Sequence, residues 1–257
     1  MSALAQVIRV EFLKARRSKM PLFTELGFAM VPLAGGFFMI VLKDPALARR
    51  VGLISMKANL TMGAADWPTY MHFLSLAVGA GGLILFSLIA SWVFGREYSD
   101  RTVKDLLALP TPRSAIVLGK LLVIMVWATL VTGISCLTTL AVGAALALPF
   151  GSPQLFWQSG LTILIATGLN IVLVTPVTLA ASAWRGYLPP IGVMFLAMAL
   201  AQFANGAGWG EYFPWAVPAL FAQGEALGAI SYLIVFLTGL AGLAGTLLWW
   251  ELADQAQ

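Results

Sequence analysis

Side chains that could perform acid–base or covalent chemistry are few in this chain and widely separated. His72 is the only histidine and Cys136 the only cysteine among 257 residues. A catalytic triad, a zinc site or a disulfide each needs several such groups held together. No H-E-x-x-H or G-x-S-x-G motif occurs either. We therefore expect no catalytic residues, no metal site and no enzyme activity.

The motif for nucleotide binding is also missing. Gly119-Lys120 is followed by Leu121 where a phosphate-binding loop has Ser or Thr, and the glycine that should precede it is absent. We therefore expect this chain to bind no cofactor of its own and to perform no ATP hydrolysis.

The composition is that of an integral membrane protein. Hydrophobic residues make up 60% of the chain and charged residues only 10%, and the mean hydropathy is +0.90. In an ordinary soluble domain the charged fraction is about a quarter. The net charge of +4 does not indicate nucleic-acid binding, because the basic residues are confined to short segments beside apolar runs.

Six apolar runs are long enough to cross a hydrocarbon core of about 30 Å as helices. They predict an all-α membrane protein that forms one transmembrane domain over residues 1–257. The expected spans cover about 22–42, 72–94, 121–148, 158–183, 188–205 and 229–250.

A polar segment, residues 95–120, separates the second and third spans. Within it, Thr102-x-x-Asp105 has the spacing of a capping box and predicts a short helix from Thr102 to Leu109, which Pro110 then ends. One interpretation is a loop whose charges only fix topology. The other is a docking helix whose apolar face fills a groove on a partner. The docking residues would be the apolar Val103, Leu106 and Leu107, with Glu97, Asp100, Arg101 and Arg113 at the rim.

Residues 1–20 form a second polar segment. Their apolar residues fall on one helical sector and Arg16 and Arg17 on the other, which predicts a helix in the headgroup plane. Glu11 falls on the apolar side, where Lys14 can pair with it at i+3. A basic flank that only keeps the N-terminus in the cytoplasm explains the same pattern.

Residues 206–228 contain too much Gly and Pro to span the membrane and too many aromatic residues for a free loop. We expect this segment to dip into the membrane interface. The small residues of 79–82 in the second span are expected to let another helix approach closely.

Isolated polar groups suggest a substrate path. Glu25 is the only acid within a predicted span, and Asn170 lies in the fourth. Glu211 and Trp215 belong to the aromatic segment 206–228. Alternatively, Glu25 snorkels or pairs with Lys19, and Asn170 hydrogen-bonds to a neighbouring helix.

Three stretches resemble ABC-2 type exporter permeases. The central segment, from Arg96-Glu97-Tyr98-Ser99-Asp100-Arg101-Thr102 through Leu106-Leu107-x-Leu109-Pro110 to Arg113 and Lys120, is similar to the first cytoplasmic loop of that family. Glu11 to Ser18 resembles its interfacial helix, and Phe213-Pro214-Trp215-Ala-Val-Pro218 resembles the re-entrant hairpin of the bacitracin and lantibiotic resistance branch. The commonest form of the loop motif has Gly where this chain has Arg101.

The resemblance covers nearly the whole chain and implies a mechanism. The helix after Thr102 would be a coupling helix that docks on a separate ATPase subunit, which would bind ATP and Mg. A second permease copy or a paralogue would complete the transporter, surrounded by membrane lipid and without nucleic acid. It would export a hydrophobic or amphipathic substrate, such as a peptide antibiotic, a drug or a lipid-like molecule, across the bacterial cytoplasmic membrane.

Two other classes remain open at this point. An ion-coupled secondary transporter would normally carry acids near the middle of the membrane, and an intramembrane enzyme would need clustered titratable groups. The sequence offers little of either. It does not identify the substrate, the ATPase, or whether the permeases pair as a homodimer or a heterodimer.

The distribution of basic residues predicts that both termini are cytoplasmic. With six spans and an internal N-terminus, eleven of the 15 Lys and Arg residues lie on the inner side. A single cysteine introduced at position 255, with Cys136 replaced by Ala, should react with a membrane-impermeant maleimide only after the cells are permeabilised. Labelling in intact cells would contradict the six-span topology.

Overall fold

The computed structural model describes residues 3–44, 64–108 and 110–252. Within these ranges the chain consists of helices and connecting turns. In chain order they are α1 (Ala3–Arg17), α2 (Met20–Lys43), α3 (Trp67–Ser99), α4 (Val103–Leu107), α5 (Arg113–Ala145), α6 (Pro153–Leu173), α7 (Thr175–Ala183), α8 (Leu188–Gly206), a 3₁₀ turn (Gly210–Tyr212), α9 (Val217–Ala222) and α10 (Ala229–Leu252).

The described residues include six helices long and apolar enough to cross a membrane, which confirms the six-span, all-α prediction. They are α2, α3, α5, the pair α6–α7, α8 and α10. Two of them are longer than expected: α3 runs over Trp67–Ser99 and α5 over Arg113–Ala145. The connection between them therefore covers only residues 100–112, where the sequence suggested 95–120. The polarity of Arg96, Glu97 and Lys120 predicts that they lie outside the spans, but all three lie within these helices.

The start of α3 follows from local chemistry. The side chain of Asp66 accepts a hydrogen bond from the backbone N–H of Thr69 at 2.9 Å, and Pro68 occupies the first turn. Both features are favourable at a helix N-terminus, since the first N–H groups have no partner within the helix. The expected start near residue 72 was late because the cap precedes the apolar run.

The fourth span is interrupted between α6 and α7. Pro176 has no N–H to donate to the carbonyl four residues earlier, that of Val172. The hydroxyl of Thr175 takes over this role and donates to the Val172 oxygen at 2.9 Å, and it also lies 2.7 Å from the Gly239 oxygen on α10. A break in one helix is thereby fixed against another.

Helix α3 occupies the centre of the bundle, where it packs against α2, α5, α6, α7, α8 and α9. Glycine permits two of these contacts, as predicted for the small residues of 79–82. A Cβ atom at Gly79 would lie 2.5 Å from the Cβ of Ala222 and 2.7 Å from the carbonyl oxygen of Pro218, both on α9. A Cβ atom at Gly82 would lie 3.0 Å from the amide nitrogen of Asn170 on α6.

The aromatic segment 206–228 forms the 3₁₀ turn and helix α9 between α8 and α10. Val217 and Pro218 are buried, and α9 packs against α3 and α6. The burial of α9 accounts for the apolar residues of that helix, whereas Trp209 and Tyr212, earlier in the segment, are exposed. Whether it enters the membrane from the outer side stays a prediction.

The expected polar connection 43–71 lies mostly outside the described residues, including Arg49, Arg50 and Lys57. Lys43 is described and donates to the carbonyl oxygens of Leu146 and Ala147 at the C-terminal end of α5. A cation is favourable there because the last carbonyls of a helix have no partner within the helix.

The close approach of α9 to α3 gives a direct test of the fold. Gly79→Ala should lower the free energy of unfolding by about 1–3 kcal/mol, because the new methyl group overlaps backbone atoms that cannot move independently. Gly81→Ala is the matched control, since no atom lies within 4 Å of its Cβ position. Thermal unfolding of the purified variants would compare them, and equal stability of the two variants would contradict this packing.

Candidate functional site

Several charged side chains are buried where α1, α3 and α5 meet. Glu11 is 5% exposed, Glu97 is 3% exposed and Lys120 is fully buried. Buried charges are costly unless they are paired and hydrogen-bonded. We define the charge network as Glu11, Lys14, Glu97 and Lys120 together with the hydroxyl group of Thr102.

Lys120 is the centre of the charge network. Its ammonium group donates to Glu11 Oε2 at 3.1 Å, to Glu97 Oε1 at 2.9 Å and to the carbonyl oxygen of Val93 at 3.0 Å. An ammonium group has three N–H donors, so all three are used. Helix α5 is thereby fixed to α1 through one carboxylate and to α3 through the other.

Lys14 closes the charge network from the opposite side. Its ammonium group lies 2.8 Å from Glu11 Oε1, the i+3 pair predicted from the sequence, and 2.7 Å from Glu97 Oε1. The negative charges of the two carboxylates are therefore balanced by the positive charges of two ammonium groups. Partial burial disfavours the charged form of Lys14, but Glu11 and Glu97 together outweigh it and raise its pKa.

Gly119 permits this arrangement. A Cβ atom at this position would lie 2.6 Å from the side chain of Val7 on α1. With glycine here, α1 approaches α5 closely enough for Glu11 to reach Lys120. Arg16 and Arg17, on the same helix, are exposed and lie outside the charge network.

Thr102 extends the charge network to α4. Its hydroxyl group donates to Glu97 Oε2 at 2.7 Å. The predicted capping box is therefore wrong, and Thr102 makes no side-chain cap to α4. A cap of that kind needs an extended backbone, whereas Thr102 has φ −92° and ψ 0°.

The backbone of Thr102 is fixed by the end of α3. Its N–H donates to the Glu97 oxygen at 2.9 Å and that of Arg101 to the Tyr98 oxygen at 3.2 Å, which together form a Schellman motif. The residue at the turn of that motif is usually glycine, and here it is Arg101 with φ 57°. Arg101, which stands where the family motif most often has glycine, therefore occupies a position at which an L-residue is strained by about 1–2 kcal/mol.

The apolar face of α4 packs within the chain. Val103 is 6% exposed, and Leu106 and Leu107 are half-buried against the central core. Val103 is therefore not accessible to a partner in this conformation, unlike the expectation from helical spacing alone. The exposed side of this region consists of polar residues: Arg101, Lys104 and Asp105.

Two of the expected rim residues have partners in the chain. Asp100 forms an ion pair with Arg96 at 3.0 Å, one helical turn away. Arg113 donates to the carbonyl oxygens of Trp250 and Glu251 at 3.0 and 3.2 Å, where α10 ends. The first contact lies at the C-terminal end of α3, and the second joins the start of α5 to the end of α10.

The four residues suggested for a substrate path lie in different surroundings. Asn170 is fully buried and donates to the Val78 oxygen at 2.9 Å, so it joins α6 to α3. Glu25 lines an apolar groove between α1, α2 and α5, and no ion pair joins it to Lys19 within the described part of the chain. Trp215 lines a small cavity between α3, α8 and α9.

Glu211 is the fourth of these residues and lies in the 3₁₀ turn. It hydrogen-bonds to Tyr212, and this contact, together with the negative charge of Glu211, raises the pKa of the exposed Tyr212 hydroxyl. Among the described residues there is no group of three or more His, Cys, Asp or Glu side chains that could hold a metal ion.

The central position of Lys120 is not predicted from the sequence, in which this lysine marks the end of the polar segment 95–120. The available signal was a lysine preceded by glycine within a helical apolar pattern. Two acids that could pair with it, Glu11 and Glu97, lie elsewhere in the chain. This signal did not identify the pairing, because the partners lie 109 and 23 residues away.

Comparison with known proteins agrees with this architecture. The model of the ABC-2 family transporter proteins matches residues 7–201. The chain is 26% identical over 177 residues to a protein of Bacillus licheniformis described as bacitracin transport permease protein BCRB, which covers 67% of this chain and 85% of that protein. No solved structure matches the chain. Because the family match covers most of the chain and the relative is a permease, this protein belongs to the ABC-2 family of transporters as a membrane subunit.

Proposed function

We propose that this chain is the membrane-spanning subunit of an ATP-driven exporter. A separate ATPase subunit binds ATP and Mg, and a second copy of this chain or a paralogous permease completes the assembly. Family membership and the absence of a phosphate-binding loop from the sequence support this division of roles. The basic residues on the predicted inner side support a bacterial cytoplasmic membrane protein with both termini in the cytoplasm.

The proposed substrate is a hydrophobic or amphipathic molecule, such as a peptide antibiotic, a drug or a lipid-like compound. The similarity to a bacitracin transport permease supports this class. We assign Glu211 and Trp215 to the outer end of the path, because both belong to the segment between α8 and α10 and Trp215 lines a cavity there. Asn170 supports the path by joining α6 to α3 rather than by contacting substrate.

The observation that carries the mechanism is the bond between Glu97 and Thr102. It fixes the start of α4 to a carboxylate that also binds Lys14 on α1 and Lys120 on α5. A displacement of α4 is therefore transmitted to three helices at once. A surface loop without such bonds would absorb the motion by bending.

We further propose that the ATPase contacts the polar side of α4. Arg101, Lys104 and Asp105 are exposed and give this contact its charge complementarity. Leu106 and Leu107 anchor the helix to the membrane domain and contribute their exposed edges to the partner. Strained residues persist mainly where they have a function, and Arg101 is strained and exposed.

Variants of the charge network should distinguish its effect on stability from its effect on the coupling of ATP hydrolysis to transport. Lys120→Met leaves the carboxylates of Glu11 and Glu97 without this cation in a buried site, and we expect it to lower the free energy of unfolding by about 3–5 kcal/mol. The double variant Lys120→Met with Glu11→Gln restores the charge balance and should recover much of that loss. It should nevertheless transport less substrate per ATP hydrolysed than the wild type.

Thermal unfolding, ATPase rate and transport in proteoliposomes containing the whole complex would measure these effects. Lys19→Met is the control for removing a lysine from an exposed position, because Lys19 belongs neither to the charge network nor to the proposed ATPase contact. A stable double variant that retains the wild-type ratio of transport to hydrolysis would disprove the mechanical role of the charge network.

Arg101→Gly should change stability and partner binding in opposite directions. Glycine adopts a positive φ freely, so the variant should gain about 1 kcal/mol in stability. It also loses the exposed guanidinium group, so less ATPase should co-purify. Ala147→Gly is the control, because Ala147 also has a positive φ (47°) but no charged side chain. Unchanged ATPase recovery with Arg101→Gly would exclude Arg101 from the contact.

A further inference from the structure

The groove beside Glu25 lies between α1, α2 and α5 and has a volume of about 510 Å³. Its walls are almost entirely apolar. The lining residues include Arg16 on α1, Glu25 on α2, and Val123, Trp127, Leu130 and Ile134 on α5. On α5 these positions recur every three or four residues, so the groove follows one face of that helix.

Two opposite charges line this apolar groove without pairing with each other. Glu25 has its Oε1 atom buried with no hydrogen-bond partner in the described ranges. Arg16 is exposed, and within those ranges the structure gives it no ion pair. The indole N–H of Trp127 is already used, since it donates to Thr24 Oγ1 at 3.1 Å. The Glu25 side chain is only partly buried and lines the groove together with Arg16, so a carboxyl group and a guanidinium group face the same apolar space.

The position of these charges matches the boundary between headgroups and acyl chains. Glu25 is five residues into α2, which corresponds to roughly 7 Å along the helix. From Val123 to Ile134, the apolar wall on α5 extends for about 16 Å, close to half of a ~30 Å hydrocarbon core. The groove thus has one charged end and an apolar length comparable to one leaflet.

We infer that this groove binds one phospholipid whose headgroup contains both a phosphate and a primary ammonium group. The phosphate would bind Arg16, whose guanidinium suits phosphate oxygens, and the ammonium group would donate to Glu25. One acyl chain would lie along Val123, Leu130 and Ile134. Such a headgroup supplies a partner of opposite charge for each of the two side chains, whereas a purely anionic headgroup would leave the Glu25 carboxylate without a donor.

Comparison of three lipids with identical acyl chains would test this assignment. Native mass spectrometry of the purified permease complex should show dioleoyl phosphatidylethanolamine bound about tenfold more tightly than the phosphatidylglycerol or phosphatidylcholine form. The glycerol headgroup has no cation, and the choline headgroup has no N–H to donate. Equal binding of the three lipids by the wild-type complex would overturn the proposal without the need for any variant.

Variants assign the two ends of the headgroup. Glu25→Gln should remove the preference for the primary amine, and Arg16→Gln should weaken the binding of all three lipids. Lys19→Gln removes an exposed charge between α1 and α2 that does not line the groove, and it should bind lipid as the wild type does. An unchanged amine preference in Glu25→Gln would overturn the proposal.

A different amphiphile could occupy the same apolar space, and the same assay would reveal it. If dodecylamine, which has no phosphate, displaced phosphatidylethanolamine and bound with equal affinity in the wild type and in Arg16→Gln, the groove would be a site for cationic amphiphiles. That result would overturn the phospholipid assignment. None of these measurements depends on transport or on the ATPase contact.

Discussion

A fully buried ammonium group requires three acceptors, and the way in which Lys120 obtains them organises one end of the molecule. Two of the acceptors are carboxylates from α1 and α3, and the third is a backbone oxygen of α3. If one carboxylate moved away, a buried charge would lose its partner, which costs several kcal/mol. The three helices therefore have to remain together or move together. This constraint also explains why α3 and α5 continue well past their apolar runs.

Helix α4 depends on the same constraint. It has five residues, and an isolated helix of that length is not stable in water. Its position comes from the Schellman motif that ends α3, from the bond between Thr102 and Glu97 and from the burial of Val103. A short helix fixed at one end by hydrogen bonds and along one side by apolar contacts is a rigid extension of the bundle. The outward side of α4 is polar, whereas the side that packs against the bundle is apolar.

The charges in this protein have two different environments. In the charge network, acids and bases neutralise each other near the helix ends, which differs from the unpaired acids at mid-membrane that ion-coupled transport normally uses. At Glu25, which lines an apolar groove, one carboxylate oxygen has no hydrogen-bond partner among residues 3–44, 64–108 and 110–252. The first arrangement resists relative motion of the helices, and the second leaves a polar group free for a ligand. Membership of the ABC-2 family supports the interpretation of the network as structural and mechanical rather than ion-conducting.

The sequence by itself determined the class, the number of spans and the short helix after Thr102. An apolar run of about 20 residues has few alternatives to a membrane helix. The prolines after Leu109 require the short helix to end there, because proline cannot continue a helix. Local spacing also predicted the pair of Glu11 and Lys14 and the close contacts at 79–82. Only the tertiary structure decided which acids face Lys120 and which side of α4 points outward. Those outcomes depend on residues far apart in the chain, and a helical pattern identifies an apolar face without identifying what covers it. The hydroxyl of Thr102 illustrates the difference, because its spacing fits a capping box but its backbone is fixed by the preceding helix and its hydrogen goes to Glu97.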